Sequence, residues 1–186
     1  YGLVGSEMCI RDRIKAIEYV RTHHIPFLGI CLGMQMAVIE YARHVAGLER
    51  ANSSEMDENT PYAVINLMES QKEITQKGGT MRLGAWDCQL LPGSKIFEAY
   101  GKEYISERHR HRYEFNNDYK DILEKAGLQC TGINPNTGLV EVIELPSEPW
   151  FVGVQYHPEY KSTVANPHPL FIAFIKAALA YKLKKN

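Results

Sequence analysis

A single α/β domain is what the chain predicts, on three observations. Helical and extended patterns alternate from Ile14 onward. Phe27–Ile30 is a short apolar run of the kind found in buried parallel strands. The 186 residues, 45% of them apolar, can bury one core without disulfide staples and leave hardly any room for a second.

The elements follow in order. Ile14, Ile17, Tyr19 and Val20 carry the mixed three- and four-residue spacing of an amphipathic helix over 14–21. Pro26 closes a linker into the strand Phe27–Ile30. A second helix spans Leu32 to His44, with Met34, Met36, Val38, Ile39 and Tyr41 as its apolar positions. Polar residues 52–61 predict a loop, 63–67 a strand, and 71–79 a mobile flap. Residues 83–90 and 104–106 are extended, and a helix follows near 119–126. Strands at 128–133, 139–145 and 150–156 are separated by the turn segments Asn134–Gly138 and Pro146–Pro149. Pro169 to Leu183 is a closing helix whose last turn carries Lys182 near the favourable end of the dipole. Met34, Met36, Phe171 and Phe174 are predicted to be core.

Composition excludes several function classes. With 21 Lys+Arg against 22 Asp+Glu the net charge is −1, so no whole-chain pull toward nucleic acid or anionic membrane is expected. No apolar run reaches the roughly 18 residues of a membrane span, and the N-terminus lacks the order of a signal peptide. Cys9, Cys31, Cys88 and Cys130 are spread too thinly for a disulfide scaffold or a paired-cysteine metal site. The expectation is a cytosolic, globular protein. Residues 1–13 fit neither period and join abruptly to a good helix, so they are expected to be a non-native segment, with the domain proper at 14–186.

Chemistry enters at Gly29-Ile30-Cys31-Leu32-Gly33, where the apolar strand meets the second helix. A nucleophile framed by two glycines at this spacing marks a tight strand-to-helix turn that lifts the central side chain above the sheet. A cysteine there lies at the positive end of a helix dipole, which favours thiolate, and the Leu32 N–H can face a developing oxyanion. A buried packing cysteine is the competing reading. Such a nucleophile needs a base and a group to orient it. His157 follows the apolar strand segment 152–156 directly. Pro158 stiffens the turn, and Glu159 can lie on the same side of the chain as His157. The competing reading is a surface turn.

Together, Pro26–Gln35 and Gln155–Glu159 resemble the class I, triad-type glutamine amidotransferase family. More narrowly, Tyr41–His44, Asn52–Glu55, Gly78–Gly84 and Glu107–Glu114 are similar to the glutaminase domain of the CTP synthase family, over about 14–180. The resemblance implies an open, mostly parallel sheet flanked by helices, with the first strands missing. It implies that Cys31 attacks the side-chain amide of L-glutamine, that His157 moves the protons and that Glu159 orients it. It implies further glutamine contacts from Leu32, Gly33, Met34, Gln35, Glu55 and Arg112. The glutaminase domain itself is expected to need no cofactor or metal. An amidoligase domain that uses ATP and magnesium to aminate UTP, in a homo-oligomeric parent, is expected outside this chain. The family's Pro-Gly-Gly loop, which supplies the second oxyanion donor, falls without gaps at Leu3 and Val4, so the 186 residues alone are expected to hydrolyse glutamine poorly.

Arg108–Arg112 also tempts a phosphate or metal reading. Strand alternation separates its arginines from its histidines, and two histidines lack the third ligand a metal site needs. Two other functions compete: another glutamine amidotransferase or related γ-glutamyl cysteine hydrolase, and a catalytically silent binding or regulatory domain.

Overall fold

A computed structural model describes residues 7–67 and 81–184. The flap expected at 71–79, Leu3 and Val4 lie outside the described residues. The elements are α1 (Glu7–Thr22), β1 (Phe27–Ile30), α2 (Leu32–His44), β2 (Ala51–Ser53), β3 (Tyr62–Asn66), β4 (Arg82–Leu90), α3 (Lys95–Tyr100), β5 (Tyr104–His111), β6 (Glu114–Phe115), α4 (Lys120–Ala126), β7 (Gln129–Ile133), β8 (Val140–Glu144), β9 (Phe151–Val154) and α5 (Pro169–Lys184). Single 3-10 turns cover Asn117–Tyr119 and Pro158–Lys161.

β1 and α2 lie where the sequence puts them. α1 starts seven residues before Ile14 and runs unbroken across Arg13, with Ile14 and Ile17 buried. α3 is an unpredicted element. Ser94 caps it by accepting from the Phe97 N–H, and Gly101 ends it in the left-handed region at φ 67°.

The main sheet has the order β1-β9-β8-β7-β4-β5, and a small second sheet has the order β2-β3-β6. Helices flank a mixed sheet, as an α/β fold requires, but the expected mostly parallel pairing is corrected among the described strands. Only β1–β9 and β2–β3 run parallel, and the other ladders are antiparallel. The reason lies in the connections. β7, β8 and β9 are joined by short turns, and a short turn can only return the chain antiparallel, whereas a parallel pair needs a crossover. α2 provides part of that crossover between β1 and β9.

Apolar side chains fill both faces of the sheet. One cluster gathers Ile14, Ile17, Met34, Met36, Val38 and Ile39 with Val140 and Phe151. The other gathers Cys88, Ile96, Val142, Val152, Tyr156 and Leu170. Phe171 and Phe174 are only half-buried: Phe174 packs against the second cluster, whereas Phe171 belongs to neither, which corrects the core expectation for Phe171. α5 is apolar on nearly every side, and Ile172, Ile175, Leu179 and Leu183 stay exposed on it.

Candidate active site

Two adjacent parallel strands deliver Cys31 and His157 to one end of the sheet. β1 pairs with β9 in register Ile30↔Val154, and the Cys31 N–H donates to the Val154 carbonyl at 2.8 Å. Cys31 therefore stands beside the chain that leads, three residues on, to His157. This is the carboxyl-end location where α/β sheets place ligands.

The Cys31 turn is strained, with φ 50° and ψ −102° in a residue that has a Cβ. Gly29 makes the turn possible. A Cβ there would lie 2.8 Å from the Gly33 carbonyl carbon and 2.8 Å from the Phe27 ring. Gly33 itself faces open space, so close packing explains the first glycine of the frame and not the second.

The thiol is not a resting thiolate. Burial pushes it up to about 11, against the pull of the Leu32 N–H and the Gln155 amide, and the charges of Glu114 and Glu159 push the same way as burial. The expected helix-end activation is outweighed by desolvation. The Leu32 N–H faces the sulfur of Cys31 itself. Gln155 Nε2 donates to Sγ at 3.6 Å, a contact the sequence reading did not assign, although Gln155 lies two residues before His157 in the quoted motif.

His157 is tied down at two points. Its N–H donates to the Arg108 carbonyl on β5 at 2.8 Å, and its ring Nδ1 lies 2.6 Å from Glu159 Oε1. A carboxylate at that distance fixes the proton on Nδ1 and leaves Nε2 with its lone pair. Nε2 is buried and has no hydrogen-bond partner in the structure.

A cavity of about 310 Å³ opens beside Cys31, at the low end of small-molecule sites. Cys31, Leu32, Gln35, Glu55, Met81, His111, Arg112 and Tyr113 line it. The structure thus brings five of the sequence-predicted residues (Cys31, Leu32, Gln35, Glu55 and Arg112) into one wall. Gly33 and Met34 do not line it, and Met34 is wholly buried in the core. Nor does His157, which approaches from the β9 side. Met81, His111 and Tyr113 are lining residues that the sequence reading missed. The alternation of β5, which buries His109 and His111 while Arg108 and Arg110 face solvent, was the available signal for His111. Glu55 sits on the rim, where burial raises its carboxyl and the Arg112 guanidinium lowers it. A carboxylate and a guanidinium across one cavity suit the two ends of an amino acid.

Comparison with known proteins shows the family. The family model for class-I glutamine amidotransferases matches residues 3–177. The chain belongs to that family. It is similar to the CTP synthase of Christiangramia forsetii, 64% identical over 180 residues, which cover 97% of this chain and 33% of that protein. It is also similar to the CTP synthase of Bacteroides thetaiotaomicron, 62% identical over 170 residues, covering 91% of this chain and 32% of that protein. It spans about a third of the length of these curated relatives. A solved glutaminase domain of Trypanosoma brucei CTPS with bound acivicin superposes with a TM-score of 0.87 at 36% identity, covering 94% of this chain and 68% of that one. A putative GMP synthase component from Thermoplasma acidophilum shares the fold, with a TM-score of 0.61 at 17% identity, covering 97% of this chain and 71% of that one.

Proposed function

We propose that this chain is the glutaminase part of a CTP synthase and hydrolyses L-glutamine at Cys31. The observation that carries the reading is the shared cavity, in which Cys31 meets Gln35, Glu55 and Arg112 beside a His157–Glu159 pair. Glu55 and Arg112 receive the amino and carboxylate ends of the substrate, which leaves its carboxamide at Sγ.

A thiol held near 11 cannot attack alone at neutral pH, so His157 Nε2 takes the Sγ proton as the carbon–sulfur bond forms. The imidazolium, stabilised by Glu159, then gives that proton to the departing nitrogen, releasing ammonia and leaving a glutamyl thioester. His157 next deprotonates a water that cleaves the thioester, giving glutamate and restoring the Cys31 thiol. In the longer protein, this ammonia serves the ATP- and magnesium-dependent amination of UTP to CTP on an amidoligase domain. Those partners rest on the likeness to CTP synthases.

Ammonia release from glutamine tests the reading. Cys31→Ala is expected to lower it by about 10⁴-fold or more, to background. Release that survives the substitution would end the assignment.

A further inference from the structure

β5 is an edge strand of the main sheet among the described strands, and its outer side is not left bare. The outward carbonyls of Ser106 and Arg108 accept from Lys161 Nζ and from the His157 N–H. Between them, Glu107 points the other way, and its side chain is almost wholly buried. The chemistry proposed above does not use it. A buried carboxylate is costly unless donors and cations surround it.

The partners of Glu107 come from both sides of His157. His168 stands at the end of the loop that follows the 3-10 turn Pro158–Lys161. The Leu170 N–H donates to His168 Nδ1 at 3.3 Å, so the ring proton sits on Nε2 and is given to Glu107 Oε1 at 3.1 Å. Lys161, the last residue of the turn, brings its ammonium to 3.6 Å from Glu107 Oε2 as an ion pair. On the other side is Tyr156, the residue just before His157. Its hydroxyl lies 3.2 Å from that of Tyr100, which donates to Glu107 Oε1 at 3.1 Å. Burial raises both phenols, so both keep their protons. A carboxylate only accepts, so this thread runs from Tyr156 through Tyr100 to Glu107.

The loop between Lys161 and His168 is closed on itself. The His168 N–H donates to Ser162 Oγ at 3.1 Å, and the Thr163 N–H donates to the Asn166 carbonyl at 3.1 Å. Both ends of the loop are thereby drawn to one carboxylate. The turn it fastens carries the surroundings of the His157 ring. Glu159 Oε1 meets Nδ1 at 2.6 Å, and the Tyr160 ring stacks on the imidazole with centroids 5.2 Å apart. Glu159 and Tyr160 are exposed side chains, so the backbone of the turn decides where they stand.

We infer that Glu107 is a positioning residue for His157: its buried carboxylate fastens Tyr156 before the imidazole and Lys161 and His168 after it, and so holds the turn that sets the ring against Glu159 and Tyr160. Glu107 does not line the cavity, so it takes no part in holding a ligand there. The catalytic consequence rests on reading His157 as the base, but the anchorage is tested without glutamine.

Site-resolved amide hydrogen exchange of the 186-residue chain makes that test. The His157 N–H, bonded to the Arg108 carbonyl at 2.8 Å, reports on the turn. The Cys31 N–H, bonded to the Val154 carbonyl at 2.8 Å, reports on the sheet. Glu107→Leu removes all three anchors and should speed exchange at His157 at least about tenfold, with Cys31 within about twofold of the parent. If Glu107→Leu does not fold, Glu107→Gln keeps the acceptor for His168 and Tyr100 and gives up only the Lys161 ion pair. It should speed exchange at His157 about threefold, again with Cys31 unmoved. Unchanged exchange at His157 in a folded variant, or an equal rise at both amides, would overturn the inference. The second readout is the split between kcat and KM for glutamine hydrolysis. Glu107→Leu should lower kcat about tenfold and leave KM within about twofold, as a misplaced base does. A raised KM with kcat unchanged would put the effect in the cavity and overturn the inference. Absence of turnover in the parent chain would bear on the glutaminase reading alone, since the exchange result decides the anchorage.

Discussion

The Cys31 side and the His157–Glu159 side of the proposed site are built on opposite plans. Cys31 is enclosed, held at a positive φ by the tight Gly29–Gly33 contact, and its thiol is driven up by burial. The His157–Glu159 pair is open, with 19% of the His157 and 44% of the Glu159 side chain exposed. Burial lowers the reactivity of the sulfur, which on the proposed reading a neighbouring base restores. The open pair makes few contacts of its own: one backbone bond to β5 and one carboxylate contact set the tautomer of His157. The contrast teaches that the backbone strain is concentrated at Cys31, the proposed nucleophile, and that His157, the proposed base, is held by short hydrogen bonds.

That contrast can be sharpened in decreasing order of effect. Glu159→Gln removes the charge that orients His157, but water can reach the exposed position. A fall of about 10² in kcat/KM for glutamine hydrolysis is expected, the low end for a positioned base, with KM nearly unchanged. A fall as large as that for Cys31→Ala would mean that the open side is as tightly constrained as the closed one. Gly29→Ala places a methyl against the Gly33 backbone, where nothing flexible can yield. It should cost about 1–3 kcal/mol by thermal unfolding, as overpacking does. An unchanged melting temperature would show that the turn is not held by this contact. The smallest effect belongs to Arg110→Ala. Arg110 faces solvent on β5 between the buried His109 and His111, and its loss should leave stability within about 0.5 kcal/mol. A large loss would mean that the exposed face of β5 has a role of its own.

The sequence made some of this legible for identifiable reasons. β1 and α2 could be bounded to the residue because an apolar run, a glycine-framed turn and a long helical pattern each give a strong local signal. The six residues of α3 are too few to show a period, and β2 and β6 exist only through their pairing with β3. The antiparallel hairpins were readable in the Asn134–Gly138 and Pro146–Pro149 turns, but the expectation of a mostly parallel sheet came from the family resemblance and not from those turns. Phe171 misled because a helix that is apolar all round gives no contrast between its inner and outer faces. At the site, Cys31, Gln35, Glu55 and Arg112 were legible through motif strings. Met81, Tyr113 and the donor role of Gln155 depend on which strands lie side by side, and no local pattern encodes that.

Covalent trapping addresses the central claim most directly. The chain is treated at pH 7 with a glutamine-like chloroketone, with and without excess L-glutamine, and each cysteine is followed by mass spectrometry. Rapid labelling of Cys31, slowed by L-glutamine, with half-buried Cys130 left behind, is the predicted result. Labelling that falls on Cys130 as fast as on Cys31, or that L-glutamine does not slow, would contradict the assignment of Cys31 as the nucleophile of a glutamine site.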